Sequence, residues 1–286
     1  MGIIVTTAIF ASLLAFVLGT ALGFFQEFFK VEEDPLKFRI REALPGANCG
    51  ACGYPGCDGY ASALAAGQAE TSRCSVGGAA VAEKLSAITG VSGGGMVRLV
   101  SVLACQGSRR HAPLKGTYTG LQTCRGAKLA AGGTKLCAWG CLGFGDCVKV
   151  CQFGALSIGG DGLPRVDYAK CTGCRLCLGE CPQALLKGIP QNQQGAIALW
   201  SNRNSIKQMV INTCKRGCIK CELCVKNCPE KCIAMDRGIP LVDYAKCTSC
   251  GTCVSKCPVK VLRIIQTDVF PGKGEAVPAE AETAQA

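Results

Sequence analysis

Histidine is almost missing from this sequence: His111 is the single one among 286 residues. That excludes His-rich zinc and haem chemistry, and no C-x-x-C-H haem-attachment motif occurs. With a lone His there is no Ser/His/Asp set, so acid–base catalysis has no carrier. His111 itself reads as a surface residue beside Arg109 and Arg110. No G-x-G-x-x-G turn is present either, which argues against a dinucleotide site. The triple glycine Gly93, Gly94, Gly95 reads as a flexible joint. Aromatics make up 6% and charged residues 18%. Yet 49% of the chain is apolar and the mean hydropathy is +0.26, too hydrophobic for disorder and long enough for about two cores. Something other than rings must fill part of the interior.

What is abundant is cysteine, 24 residues of it. Such density means a disulfide scaffold or a metal protein. Disulfide scaffolds are typically short and secreted, and this chain is neither short nor led by a cleavable signal. The net charge of +11 would by itself suggest nucleic acid or an anionic membrane. Thiolates change that balance. An oxidised four-iron cube with four thiolates carries roughly −2, so five would bring the sum to about +1. The basic excess is internal compensation, and no nucleic-acid partner is expected.

Residues 3–25, IIVTTAIFASLLAFVLGTALGFF, contain no charge, enough to span a bilayer with some tilt. No Lys or Arg precedes the run and no A-x-A-like site follows Phe25, so a retained anchor is expected rather than a signal peptide. Lys30, Lys37, Arg39 and Arg41 follow it. The positive-inside rule then places the chain after residue 26 in the cytoplasm, as a single-pass protein of the cell (inner) membrane. A reducing cytosol suits free thiolates.

The expected organisation is α+β: an anchor (1–26), a charged linker (27–42), a small 4Fe-4S domain (43–90), a connecting region (91–136), a module (137–190), a connector (191–213), a second module (214–265) and a disordered tail (266–286). Helices are expected over 60–69 and 79–89, the latter with Val81, Leu85 and Ile88 on one face, and a strand over 96–104. The two modules are copies. LPRVDYAKCTGC (163–174) matches IPLVDYAKCTSC (239–250) at an offset of 76, and CVKVC (147–151) matches CVKNC (224–228) at 77.

The strongest motif is C-x2-C-x2-C-x3-C-P. It occurs complete three times: Cys171/Cys174/Cys177/Cys181, Cys218/Cys221/Cys224/Cys228 and Cys247/Cys250/Cys253/Cys257. In this bacterial ferredoxin run the first three thiolates bind one [4Fe–4S] cube and the fourth binds the other. Zinc knuckles rarely string three cysteines at x2-x2 spacing and show no crossed pairing. Crossed pairing assigns Cys218, Cys221, Cys224 with Cys257, and Cys247, Cys250, Cys253 with Cys228. The first copy opens differently, on Cys137-x3-Cys141-x5-Cys147-x3-Cys151. Phe144 stands at the central cysteine position and Gln152 at the proline. The simplest donor of the missing ligand is Cys137. That gives Cys137, Cys141, Cys147 with Cys181, and Cys171, Cys174, Cys177 with Cys151. An earlier Gly/Pro-rich loop carries Cys49, Cys52 and Cys57, with Cys74 beyond a helix, and spacing makes it a metal site. Cys105, Cys124, Cys214 and Cys232 remain. The count alone leaves a sixth cluster open, since buried inert thiols are common.

LPGANCGACGYPGC (44–57), WGCLGFGDC (139–147) and the N-terminal anchor together resemble the B component of the Rnf complex, the membrane-bound ferredoxin:NAD oxidoreductase. The resemblance covers nearly the whole chain apart from the tail, and the Phe144 variant fits it. It implies that Cys49, Cys52, Cys57 and Cys74 bind a [4Fe–4S] cluster, making five. It also implies an electron-relay subunit of an ion-translocating complex, with soluble ferredoxin and the other membrane and peripheral subunits as partners. Two rivals stand beside it. One is a membrane-anchored polyferredoxin serving another redox enzyme, such as a corrinoid-reactivating or hydrogenase system. The other is a zinc-stabilised interaction protein. Lys170, Arg175, Lys215, Arg216, Lys220, Lys226, Lys246, Lys256 and Lys260 lie near ligands in sequence. They offset cluster charge, and some could form a docking face for an acidic electron carrier.

Overall fold

The computed structural model describes residues 2–29, 34–91 and 98–266. The triple glycine, the middle of the charged linker and the tail beyond residue 266 lie outside the described residues.

Helix α1, Gly2–Phe28, is apolar on every face and its side chains are almost all exposed. At 1.5 Å per residue it is about 40 Å long, more than the roughly 30 Å of a bilayer core. Its stretch Gly2–Gln26 is long and apolar enough to cross a membrane. Thr6, Thr7 and Thr20 donate their hydroxyls to Gly2, Ile3 and Phe16 carbonyls at 2.8–2.9 Å, so the helix satisfies its own polar groups, as lipid requires.

A small helical body follows. Asp34 caps helix α2, Pro35–Ala43, by accepting from Leu36 N at 2.8 Å, with Pro35 at its first position, where a missing N–H costs nothing. Helix α3, Gly56–Ala65, starts four residues before the expected helix and stops sooner, because Gly67 turns the chain at a positive φ. A 3-10 turn at Thr71–Arg73 leads into helix α4, Gly78–Thr89, which Gly90 closes in the left-handed conformation. Ile40, Leu44, Tyr60, Leu64 and Leu85 bury against one another, with Val81 and Ile88 packed on them.

The remainder is built of two-stranded antiparallel pairs and short helices. In chain order these are β1 (Leu99–Leu103), α5 (Cys124–Ala131), α6 (Asp146–Lys149), β2 (Leu156–Ile158), β3 (Pro164–Val166), α7 (Leu176–Glu180), β4 (Leu186–Pro190), β5 (Ala196–Ala198), α8 (Lys207–Thr213), α9 (Leu223–Lys226), β6 (Ile233–Asp236), β7 (Ile239–Val242), α10 (Thr252–Ser255) and β8 (Leu262–Ile264). β2 pairs with β3, and β6 with β7, as hairpins. The other two pairings are long-range. β4 pairs with β1, Leu99 opposite Pro190, and β8 pairs with β5, Ala196 opposite Ile264. Each repeat is therefore closed by a strand from well upstream of its first cysteine run. The strand expected over 96–104 is found as β1 within the described residues, with 96 and 97 outside them. The apolar interior is thin and rich in cysteine: Cys214, Cys218, Cys224, Cys232 and Cys253 sit in one core with Trp200, Val210 and Leu262.

Candidate metal centres

Four cysteine runs share one backbone trace. The residues flanking the middle position of each run take positive φ: Gly143 and Gly145, Gly173 and Arg175, Lys220 and Glu222, Ser249 and Gly251. Arg175, Lys220, Glu222 and Ser249 are not glycines, and each costs of order 1 kcal/mol in this region. A loop wound in this way turns its thiols and N–H groups inward, the concavity that binds anions. One helical turn then follows, α6, α7, α9 or α10. A second shared feature lies three residues past each fourth cysteine, where Gly154, Ala184, Lys231 and Lys260 are left-handed. In three of the four runs the next N–H donates back to that cysteine's sulfur: Ala155 N to Cys151 at 3.3 Å, Leu185 N to Cys181 at 3.5 Å, and Val261 N to Cys257 at 3.4 Å. Donors aimed at ligand sulfurs stabilise thiolates and tune a cluster's potential.

The thiols converge in groups. Cys151, Cys171, Cys174 and Cys177 line one hollow between β1 and β2. Burial raises the Cys177 pKa, Ser101 opposes this, and the charges of Cys171, Cys174 and Cys151 raise it further. Cys218, Cys221, Cys224 and Cys257 line a second hollow. There burial, then the neighbouring thiols, pushes Cys224 up to about 11. Cys253 is likewise pushed up to about 11 by burial, then by Cys247, Cys250 and Cys228. Cys250 is the exception. It is exposed, and hydrogen bonding from Thr252 lowers its pKa. Cys232 sits 3.4 Å from Cys228 as an extra thiol at this site.

In the Gly/Pro-rich loop Asn48, itself at positive φ, accepts from Cys57 N at 2.8 Å and folds the loop over. Burial raises the Cys74 pKa and the Gly77 N–H, 3.4 Å from its sulfur, opposes that; Cys57, Cys49 and Cys52 then repel its charge. This site abuts the next one. Arg175 donates to the Ala51 carbonyl, and Cys49 acts on Cys174.

The altered run divides differently. Cys147 is pushed up to about 12 by burial, then by Cys124, Cys181 and Cys177. Cys141 reaches about 12 by burial, then Cys105, and Cys124 also acts on it. Cys137 faces Cys105 and receives a hydrogen bond from Asn202 at 3.6 Å. Cys105, Cys124 and Cys214, to which the sequence assigns no role, thus lie among the ligand thiols. The one signal for Cys214 is that it occupies the Cys137 position of the other copy. Cys124 has none, because folding alone brings it to the run.

The residues fit iron–sulfur clusters. Among the described residues no group of three ligand side chains closes on one point, as tetrahedral zinc requires. Among the described residues Ser75, adjacent in sequence to Cys74, buries a hydroxyl without a protein partner, a donor suited to cluster sulfide.

Comparison with known proteins agrees. Residues 44–76 match an Fe-S cluster domain, 164–187 a 4Fe-4S binding domain, and 217–261 a 4Fe-4S dicluster domain. The chain is 39% identical over 259 residues to the B component of the Na⁺-translocating ferredoxin:NAD⁺ oxidoreductase complex of Acetobacterium woodii, covering 81% of this chain and 76% of that protein. It is 36% identical over 235 residues to the B component of the ion-translocating oxidoreductase complex of Methanosarcina acetivorans, covering 82% and 88%. To the B component of the proton-translocating ferredoxin:NAD⁺ oxidoreductase complex of Clostridium ljungdahlii it is 35% identical, over 58% of this chain and 59% of that one. A helix apolar enough to anchor, converging thiolate loops and relatives matched over most of their length together place the chain in the family formed by the B components of the Rnf-type ion-translocating oxidoreductase complexes.

Proposed function

We propose that this chain relays single electrons between soluble ferredoxin and the other subunits of an ion-translocating ferredoxin:NAD oxidoreductase complex, anchored by α1 with the bulk of the chain on the cytoplasmic side. The observation that carries the reading is the recurrence of one ligand loop four times, with its thiols gathered beside a further site on the small helical body. Bound clusters supply one-electron redox chemistry at these loops. The protein's own part is to hold thiolates, aim N–H donors at their sulfurs and exclude water.

The ligand sets we assign are Cys49, Cys52, Cys57 and Cys74; Cys151, Cys171, Cys174 and Cys177; Cys218, Cys221, Cys224 and Cys257; and Cys228, Cys247, Cys250 and Cys253. Cys141, Cys147 and Cys181 belong to a fifth. The contact between Arg175 and Ala51 supports a hand-off between the first two of these sets. Lys220 is spent on the Asn204 carbonyl. Exposed Lys226, Lys256 and Lys260 are the better candidates for meeting an acidic carrier.

The test is anaerobic reduction of the detergent-solubilised chain by ferredoxin, with iron and acid-labile sulfide counted beforehand. Five cubes give roughly 20 iron atoms per chain. Iron near zero, or full iron with no reduction by ferredoxin, would sink the reading.

A further inference from the structure

We propose that Cys105, Cys137 and Cys214 together hold a further iron–sulfur cluster on three thiolates, seated between the two repeats, while Cys124 supplies the corner of the altered run that Phe144 leaves open. This deepens the relay reading and rests on it.

The three cysteines come from three separate stretches. Cys105 follows β1, Cys137 opens the altered run and Cys214 ends α8. All are buried, at 8%, 5% and 4% exposure. Gly107 lies between two of them: a Cβ there would stand 3.6 Å from the sulfurs of both Cys105 and Cys214. Its N–H donates to the Cys105 sulfur at 3.4 Å. Asn202, 2% exposed, donates to the Cys137 sulfur at 3.6 Å. The charges of Cys105 and Cys137 both act on Cys214.

A further observation asks for an anion here. Lys135 is 2% exposed and places its ammonium 2.6 Å from the Gly107 carbonyl. Among the described residues no carboxylate pairs with it, while the sulfurs of Cys137, Cys141 and Cys214 feel its charge. A buried charge is kept only where a counter-charge compensates it, and a thiolate-bound cluster is such a counter-charge.

No fourth thiol completes the set. The Asn202 amide donates its N–H₂ to the Cys137 sulfur, and its oxygen accepts from Asn204 N at 2.8 Å. A three-iron cluster and a four-iron cluster with one corner open to a non-thiolate ligand share this three-thiolate chemistry. Cys124 is accounted for separately. It begins α5, whose N-terminus Thr123 caps, and the N–H of the next residue, Arg125, donates to Asp146 Oδ2 at 3.1 Å, which holds this end of α5 against the altered run. It therefore lies beside the turn of Phe144, where the other runs carry their middle cysteine.

The position gives the site its use. Cys105 packs with Cys141 and Cys181 of the first repeat, and Cys214 shares a core with Cys218 and Cys224 of the second. An electron crossing from one repeat to the other would reduce this site by one and leave it reoxidised, with no bond made or broken.

The experiment uses the full chain, reconstituted anaerobically, with iron, sulfide and electron paramagnetic resonance as readouts. Wild type should hold roughly 23 or 24 iron atoms, the lower figure marking the three-iron form. Cys105→Ala and Cys214→Ala should each lose the same three or four, and the double variant no more than either alone. Cys124→Ala should lose a different four. Lys135→Met should keep the iron but move the midpoint potential of this cluster to lower values, with a smaller shift of the same sign at the Cys141 cluster that also feels its charge, leaving the others in place. Full iron in both Cys105→Ala and Cys214→Ala, or a Cys105–Cys214 disulfide in the iron-loaded protein, would overturn the proposal while leaving the relay reading intact. Wild-type iron near zero would instead remove the relay reading itself.

Discussion

The two repeats are near copies in sequence and differ where they meet other parts of the molecule. The second uses regular C-x2-C-x2-C-x3-C-P runs throughout, and its thiols close on themselves: Cys218, Cys221, Cys224 and Cys257 line one hollow. The first replaces one central cysteine by Phe144 and yet keeps the loop. Gly143 and Gly145 hold the left-handed turns that Lys220 and Glu222 hold in the second. Backbone geometry is thus preserved while one ligand is moved elsewhere. What the first repeat gains is a 33-residue excursion between β1 and the altered run, which brings in Cys105 and Cys124. A ligand loop can be treated as a rigid cradle whose corner is filled from outside, and a thiol set free by that change becomes available for another site.

The largest effect that would break this comparison is loss of a cluster. Cys250→Ala should remove four iron atoms and destabilise the second repeat by several kcal/mol, because metal binding is part of the folding free energy of so thin a core; Cys174→Ala should do the same to the first. Differential scanning calorimetry with iron analysis checks both. A Cys250→Ala chain with full iron and an unchanged Tm would show that the ligand sets are wrong.

The next test exchanges the repeats' chemistry. Phe144→Cys rebuilds the regular run, so it should make Cys124→Ala tolerable, restoring the four iron atoms that Cys124→Ala loses alone. No rescue in the double variant would mean that Cys124 does not stand in for that corner.

Metal-free protein should respond to pH in the opposite sense to the loaded form. Cys141, Cys147, Cys224 and Cys253 have folded pKa values pushed up to about 11 or 12 by burial, above the roughly 8.5 of an unfolded thiol. A raised acid pKa favours the folded state only while the thiols are protonated. That contribution is full below about pH 8.5 and is lost as pH climbs toward 11–12. Thermal melts of the apo chain should fall over this window, whereas the loaded chain should weaken in acid as protons compete for the thiolates. Cys250, with its lowered pKa, should be the first thiol alkylated as pH rises, read by mass spectrometry.

Smaller effects concern docking and strain. Reduction by ferredoxin should slow a few-fold in Lys226→Glu/Lys256→Glu at low salt, and its salt dependence should flatten, since rim charges act mainly on association rate. Stopped-flow rates at rising ionic strength measure this; identical slopes for variant and wild type would leave these lysines as charge compensation. Gly145→Ala should cost about 1 kcal/mol, while Glu222→Gly should relieve strain and gain a few tenths, because both positions are left-handed. Denaturant titration of the two variants compares the same turn in the two repeats.

Much of the site was legible from the chain alone. Thiolates that grip one cube must sit close along the sequence, so C-x2-C-x2-C spacing, the 76-residue repeat and the charge-free run at residues 3–25 each speak locally. Helix α4 with its Val81, Leu85 and Ile88 face was likewise written in its periodicity. Tertiary structure alone decided three other things. It chose the strands that close each repeat, β1 against β4 and β5 against β8, because long-range pairing leaves no mark on nearby residues. It placed the start of α5, with Cys124, beside Asp146 of the altered run, over a separation that no motif spans. And it gathered Cys105, Cys137 and Cys214 around Gly107 and the buried Lys135, where a buried charge and three thiols make chemical sense only once three distant segments are packed together.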